Sequence, residues 1–258
     1  MAHSLSRWRV VVAVAMVVVV ALLMQFDGWS DSGRSAADRE RDSEIEDLGT
    51  VTVSLGGGVT MEFVLISAGT FFMGSPKEEK QRSEDEGPQH EVTITRSFYL
   101  GKYEVTQEQY TQIVGKNPSY FSANGDGKQK VAGLDTHRFP VECVSWDDAT
   151  AFCRKLSERD GKRRPFRLAT EAEWEYACRA GTRTPFYFGP SLNGDRVNCN
   201  GNFPYGTNKK GPYLQRPCCG GSYGANAFGL HDMHGNVWEW CADWYEKNWH
   251  GSKSGLFG

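Results

Sequence analysis

The chain has 258 residues, 39% of them hydrophobic and 24% charged, enough for one good-sized globular core and an N-terminal appendage. Its net charge is -3 and its basic residues are scattered; the short run Lys162-Arg163-Arg164 reads as a solvated turn before Pro165, so the electrostatic footprint of a nucleic-acid binder is lacking. The seven cysteines are odd in number, have no Cys-x-x-Cys spacing and include an adjacent Cys218-Cys219 pair, which argues against a structural zinc site and leaves at least one thiol without an intrachain partner.

Arg7 and Arg9 precede an unbroken apolar run from Val10 to Met24. At about fifteen residues it is short for a membrane span and right for a secretory h-region. Small residues in an A-x-A arrangement do not follow it, since the chain continues Gln25-Phe26-Asp27-Gly28-Trp29. An uncleaved signal anchor is therefore favoured over a cleaved peptide, and the flanking arginines place the globular part outside the cytoplasm, where disulfides are permitted. The predicted organisation is an N-terminal hydrophobic helix within residues 1–29, a polar flexible spacer over 30–49, and one domain over 50–258.

Within the domain, Val51 to Val53 and Met61 to Ile66 flank Gly56-Gly57-Gly58 and predict a hairpin that Phe71-Phe72-Met73-Gly74 continues. After the charged loop Glu78 to Gly87, Val92-Thr93-Ile94 and Phe98-Tyr99-Leu100 read as a strand with its extension. Three capping boxes then announce three short helices: Thr106 with Gln109, Ser145 with Asp148, and Thr170 with Glu173. The first helix buries Tyr110, Ile113 and Val114 and stops at Gly115. The second spaces Ala149, Phe152, Cys153 and Leu156 on one face, and the third aligns Trp174, Ala177 and Cys178 before Gly181. From Thr182 to Tyr223 the chain is rich in Gly, Pro, Asn and aromatics and almost without period. Loops of that length are uncommon unless functional or pinned, and calcium, which accepts irregular oxygen geometry, is a suitable pin.

The segment Asn226 to Trp240 carries the chemistry. Asp232 and Glu239 stand seven apart with Gly235 between them, so a tight loop can turn two carboxylates and intervening carbonyls toward one hard cation. A capped turn followed by a buried tryptophan hairpin fits the same residues. His231 and His234 lack a third ligand at a convincing spacing and read as ordinary loop histidines. Trp238 and Trp240 read as packing, with ligand stacking by these and by Trp244 and Trp249 the lesser alternative. Asn124-Gly125-Asp126-Gly127 reads as a surface turn, because Asp135 and Thr136 stand where an EF-hand needs its glutamate. No Gly-x-Ser-x-Gly elbow is present, and Gly56-Gly57-Gly58 precedes a strand and not a phosphate-binding helix.

Taken together, several motifs resemble the formylglycine-generating enzyme family, also called sulfatase-modifying factor domains, over about Met61 to Trp249. They are Ala68 to Ser75, Pro88 to Val92, Lys102 to Thr106, Pro140-Val141 with Val144-Ser145-Trp146, Arg167 to Ala177, and Asn226 to Trp240. The resemblance implies an α+β fold, a C-type-lectin-like variant with little regular structure and bound calcium. It implies one calcium held by Asp232, the carbonyls of Gly235 and Val237, and Glu239. A second would fall on Asn198, Cys199 and Tyr213, but the carboxylate the family supplies two residues before that aromatic is Gly211 here.

Active members of that family oxidise a sulfatase cysteine to formylglycine with molecular oxygen and a copper ion held by two cysteine thiolates. Those thiolates lie beyond an Arg-Gly-Gly-Ser-Trp strand that this sequence, ending Gly255-Leu256-Phe257-Gly258, does not contain. Cys241 matches neither position. The expectation is a domain with no catalytic residue, inactive as written, with Cys153 and Cys178 unpaired because their implied partners belong to the same segment. The alternative is a non-catalytic lectin-like module that binds protein or ligand at the cell surface. A sulfoxide-synthase relative would need an N-terminal bundle with histidine ligands, and residues 1–50 contain only His3. The expected partner is a sulfatase or other polypeptide, with the membrane approached through the N-terminal run and no role for nucleic acid.

Overall fold

The computed structural model describes residues 16–18, 20–22 and 49–244. Strands β1 (Met16–Val18) and β2 (Val20–Leu22) come from the apolar run, where a helix is predicted. Its described parts are extended instead, in keeping with the stiffness of consecutive β-branched valines. The rest of that run, the spacer and residues 245–258 lie outside the described residues. Among the described residues no helix is long and apolar enough to cross a membrane.

β3 (Thr50–Gly56) and β4 (Val59–Ile66) form the predicted hairpin. Its turn needs glycine, since Gly56, Gly57 and Gly58 have φ of 78°, 61° and 83°. The continuation of this hairpin is different from the expectation. β5 (Gly69–Met73) leaves the sheet and pairs with β6 (His90–Ile94), from Gly69 opposite Ile94 to Met73 opposite His90. β7 (Phe98–Gly101), expected to extend β6, returns to lie against β4. Both breaks are pinned together by the Ala68 N–H, which donates to Ser97 Oγ at 3.1 Å.

The main sheet has the order β3-β4-β7-β2-β8, all pairs antiparallel, with β8 spanning Phe166–Leu168. β2 is thus bonded on both sides, Ala21 opposite Leu100 and Arg167. β1 pairs in parallel with β9 (Trp238–Trp240).

Helices α1 (Gln107–Val114), α2 (Trp146–Arg159) and α3 (Glu171–Arg179) begin where the capping boxes predict. Thr106 Oγ1 accepts the Gln109 N–H at 3.1 Å and Gln109 Oε1 accepts the Thr106 N–H at 2.9 Å; Ser145 with Asp148 and Thr170 with Glu173 repeat the exchange. Each cap contributes about 1 kcal/mol. α3 ends one residue earlier than predicted, at Ala180 with φ 44°.

The period-two alternation of the strands divides the core. Met61 and Phe63 of β4, with Tyr99 of β7, face a cluster containing Tyr110, Ala149, Phe152, Cys153 and Leu156 from α1 and α2. Val64 and Ile66, with Phe98 and Leu100, face the opposite way, onto Phe71, Met73, Ile94, Ala177, Cys178, Leu230 and Met233. The second layer delivers the C-terminal loop to the end of α3.

That layer is joined by a buried ion pair. Arg179 Nε donates to Glu175 Oε1 at 2.8 Å, the Gly74 N–H reaches the same oxygen at 2.8 Å, and Arg179 Nη2 donates to the Gly74 carbonyl at 2.7 Å. The two side chains are 6% and 5% exposed. Burial pushes the Glu175 carboxyl upward, opposed by Arg179 and the Gly74 N–H. Removing only the cation leaves an uncompensated buried carboxylate, so Arg179→Leu is expected to cost about 3–5 kcal/mol in denaturant unfolding. A loss well under 1 kcal/mol would contradict this role.

Candidate functional site

The loop between Asn226 and Trp240 is fixed at its start by Asn226. Its Nδ2 donates to the carbonyls of Ala177 at 2.7 Å and Cys178 at 3.3 Å, while its Oδ1 accepts the N–H groups of Phe228 and Leu230. The loop is thereby hung from the last turn of α3, and Leu230 and Met233 anchor it in the core. His231 stacks on Tyr103 at 4.9 Å between ring centres and reaches the Tyr223 carbonyl at 2.9 Å.

Asp232 and Asn236 both adopt left-handed backbone, φ 59° and 69°, a conformation that Asp and Asn tolerate better than other side chains. Gly235 between them is required by crowding, because a Cβ there would lie 2.3 Å from Val197 Cγ2 and 2.6 Å from the Asn198 carbonyl. Asp232 Oδ2 accepts the Gly221 N–H at 2.7 Å; Oδ1 is buried and has no hydrogen-bond partner. Glu239 takes a hydrogen bond from the Trp174 indole N–H. The residue keeps some surface, yet its carboxylate is enclosed, and burial, with Asp232 adding repulsion, pushes it up to about 8. Burial also raises Asp232, against the pull of the Gly221 N–H and His231.

A third carboxylate that the motif reading does not single out belongs to this site. Glu104 is 3% exposed. Its Oε2 accepts Asn236 Nδ2 at 2.6 Å, and its Oε1 is buried with no partner. Burial first, then the charges of Asp232 and Glu239, drive it well above the usual carboxylate range. In the sequence Glu104 is a lone acid between Tyr103 and Val105 in a strand-like stretch, inside the Lys102 to Thr106 motif that carries part of the family resemblance but gives it no role. Among the described residues no three His, Cys, Asp or Glu side chains converge closely enough to hold a metal unaided. What the loop offers is hard oxygen: the carboxylates of Asp232 and Glu239 and the carbonyls of Gly235 and Val237, a donor set suited to calcium.

The second predicted set is differently disposed. Asn198 Nδ2 donates to the Arg216 carbonyl at 2.9 Å and to Asn236 Oδ1 at 3.0 Å, and the Asn198 carbonyl accepts the Asn236 N–H at 2.9 Å. Cys199 packs with Phe186, Leu192 and Val197, and Tyr213 is half-buried. Gly211 has no room for a side chain, since a Cβ would lie 2.0 Å from the Asn193 carbonyl; the carboxylate beside it, Asp195, is engaged by Lys209 at 2.9 Å.

His234, read as an ordinary loop histidine, is instead a core residue, 2% exposed and packed against Phe186, Tyr187 and Phe188. Its Nε2 accepts the Tyr187 N–H at 3.0 Å, and burial lowers it to about 3, so the ring is neutral. Cys178 Sγ lies 3.6 Å from that nitrogen. Cys143, Cys153, Cys178, Cys199, Cys218 and Cys219 carry free thiols. Burial raises Cys153 and Cys218 to about 12, Cys199 to about 11, and Cys178 further; Cys143, although exposed, is also raised, by desolvation and by the adjacent Glu142.

Residues 57–256 match the family model described as sulfatase-modifying factor enzyme 1-like domain. The chain is 29% identical to a formylglycine-generating enzyme of Thermomonospora curvata, over 74% of each sequence. It is 28% identical to the inactive C-alpha-formylglycine-generating enzyme 2 of Bos taurus, over 75% of this chain and 74% of that protein. Among solved structures it is similar to PvdO from Pseudomonas aeruginosa, with a TM-score of 0.59 and 32% identity over 79% of this chain and 78% of that one. With the family match spanning most of its length, this mixed α/β chain with few helices belongs to the sulfatase-modifying factor enzyme 1-like domain family.

Proposed function

We propose that the domain is a formylglycine-generating-enzyme-like module that binds calcium in the Asp232 to Glu239 loop and engages a polypeptide of the sulfatase type without oxidising it. In this reading the fold is the lectin-like variant that the family resemblance implies, and the Arg7 and Arg9 flank of the apolar run places the domain outside the cytoplasm. The single observation that carries the absence of oxidation is the condition of the thiols. Copper(I) needs two convergent thiolates. Four of the seven cysteines are buried in surroundings that keep them protonated at neutral pH, and Cys143 is also raised. These residues do not fit a bis-thiolate copper centre, and no redox step is assigned to them. Oxidative chemistry is also unneeded in a relative of this kind, one of which is itself described as inactive.

Calcium, in contrast, fits the residues present. Asp232 Oδ1 is a buried anionic oxygen with no donor, a costly arrangement unless a cation faces it. Asp232, Glu239 and the carbonyls of Gly235 and Val237 would hold the ion, which supplies positive charge between the carboxylates and cross-links a loop that has little regular structure. With the space at Gly211 closed, Asn198, Cys199 and Tyr213 make no comparable second set.

Saturating calcium at about a hundred times its Kd stabilises by about 2.7 kcal/mol, which for a domain of this size raises Tm by about 5–10 °C over the EDTA-treated protein. Asp232→Asn should abolish the rise. An equal Tm with calcium and with EDTA would overturn the calcium reading. With copper and a Cys-x-Pro-x-Arg peptide, the full chain is expected to bind the peptide in fluorescence anisotropy while consuming no oxygen above the peptide-free rate. Steady turnover with formylglycine in the product would overturn the non-oxidising reading, and absence of peptide binding would overturn the proposed partner.

A further inference from the structure

We infer that Glu104 is the positioning residue of the cation loop, holding the turn that carries the Gly235 and Val237 carbonyls and tying it to the central sheet. The inference rests on the calcium reading above and concerns a side chain outside the expected ligand set.

The side-chain amide of Asn236 is completely used. Its Oδ1 accepts the Cys218 N–H at 2.9 Å and Asn198 Nδ2 at 3.0 Å, while its Nδ2 donates to the Cys218 carbonyl at 3.1 Å and to Glu104 Oε2 at 2.6 Å. Cys218 and Asn198 lie in the long irregular stretch. Glu104 alone among these partners belongs to a segment fixed on both sides by regular structure. It follows β7 closely: the Lys102 N–H donates to the Glu62 carbonyl at 2.9 Å, and the His231 N–H donates to the Lys102 carbonyl at 3.1 Å. On its other side the Val141 N–H donates to the Val105 carbonyl at 2.8 Å, Val105 is fully buried, and Thr106 caps α1.

The Glu104 carboxylate is therefore a fixed point against which the turn is set. It takes the Asn236 side chain, and the next N–H, that of Val237, donates back to the Gly235 carbonyl at 2.9 Å. The Gly235 carbonyl lies in the peptide unit that enters Asn236 and the Val237 carbonyl one residue beyond it, so the side chain that Glu104 holds sits between the two backbone oxygens proposed to face the ion. A ligand role is less suitable, because Glu104, Asp232 and Glu239 do not form a three-carboxylate cage among the described residues. Partners of this kind set metal affinity almost as strongly as the ligands they orient.

Two variants separate position from charge. Glu104→Asp keeps the charge but withdraws the acceptor from Asn236; Glu104→Gln removes the charge but keeps an acceptor oxygen in place. Calcium titration calorimetry on the full chain, with tryptophan-sensitised terbium luminescence as a second readout near Trp174, is expected to show Kd rising about 10–100-fold in E104D and staying close to the unmodified chain in E104Q. Asn236→Gly retains the left-handed backbone and deletes the group through which Glu104 acts, so it should reproduce the loss even if E104D does not fold. Unchanged affinity in E104D or in N236G, or loss confined to E104Q, overturns the positioning role. Asp232→Asn is the control for the underlying reading: if it binds calcium as tightly as the unmodified chain, the site assignment itself fails, whatever Glu104 does.

Discussion

The fold depends on how about forty residues without helix or sheet satisfy their backbone, and the amide of Asn236 is the interaction on which that turns. A buried polar group left without a partner costs about 1–3 kcal/mol, so an irregular segment needs side chains that replace the missing ladder. Asn236 does this for three strands of chain at once, bonding both the N–H and the carbonyl of Cys218, the side chain of Asn198, and Glu104. Its left-handed backbone lets the amide point inward while the chain continues toward β9. Asn226 performs a parallel service ten residues earlier by closing the end of α3.

Burial acts with one sign on two kinds of acid and leaves them with opposite uses. A desolvated thiol simply remains a thiol, a small apolar group content among Phe152 or Leu192, and loses its value as a soft ligand. A desolvated carboxylate cannot settle so easily. Asp232 raises Glu239, and both raise Glu104, on top of enclosure, and Glu104 and Asp232 each keep an oxygen that no described residue satisfies. The buried thiols are thus settled as apolar groups, while the carboxylates of the loop remain electrostatically incomplete.

Much of this was legible in the residues because the signals were local. A hydroxyl and an acid or amide three residues apart exchange hydrogen bonds wherever they fall, and all three helices start on such pairs. The glycine turn and the face of α2 were equally visible. Strand partnership was not: β5 and β6 look like continuations of β4 and β7, and only the Ala68 to Ser97 contact, twenty-nine positions apart in sequence, shows that they leave together. Asp232 and Glu239 were found through their spacing in a glycine-rich loop. Glu104 was hidden because its burial arises from segments more than a hundred positions away, and His234 because nothing near it in sequence foretells its aromatic enclosure.

The position of β2 has a consequence of its own. Among the described residues Val20–Leu22 stands between β7 and β8, and each of those strands offers it a row of N–H and carbonyl groups. A copy of the chain whose valine run was drawn into a lipid bilayer would present two bare strand edges facing one slot, the geometry by which sheets recruit foreign strands and aggregate.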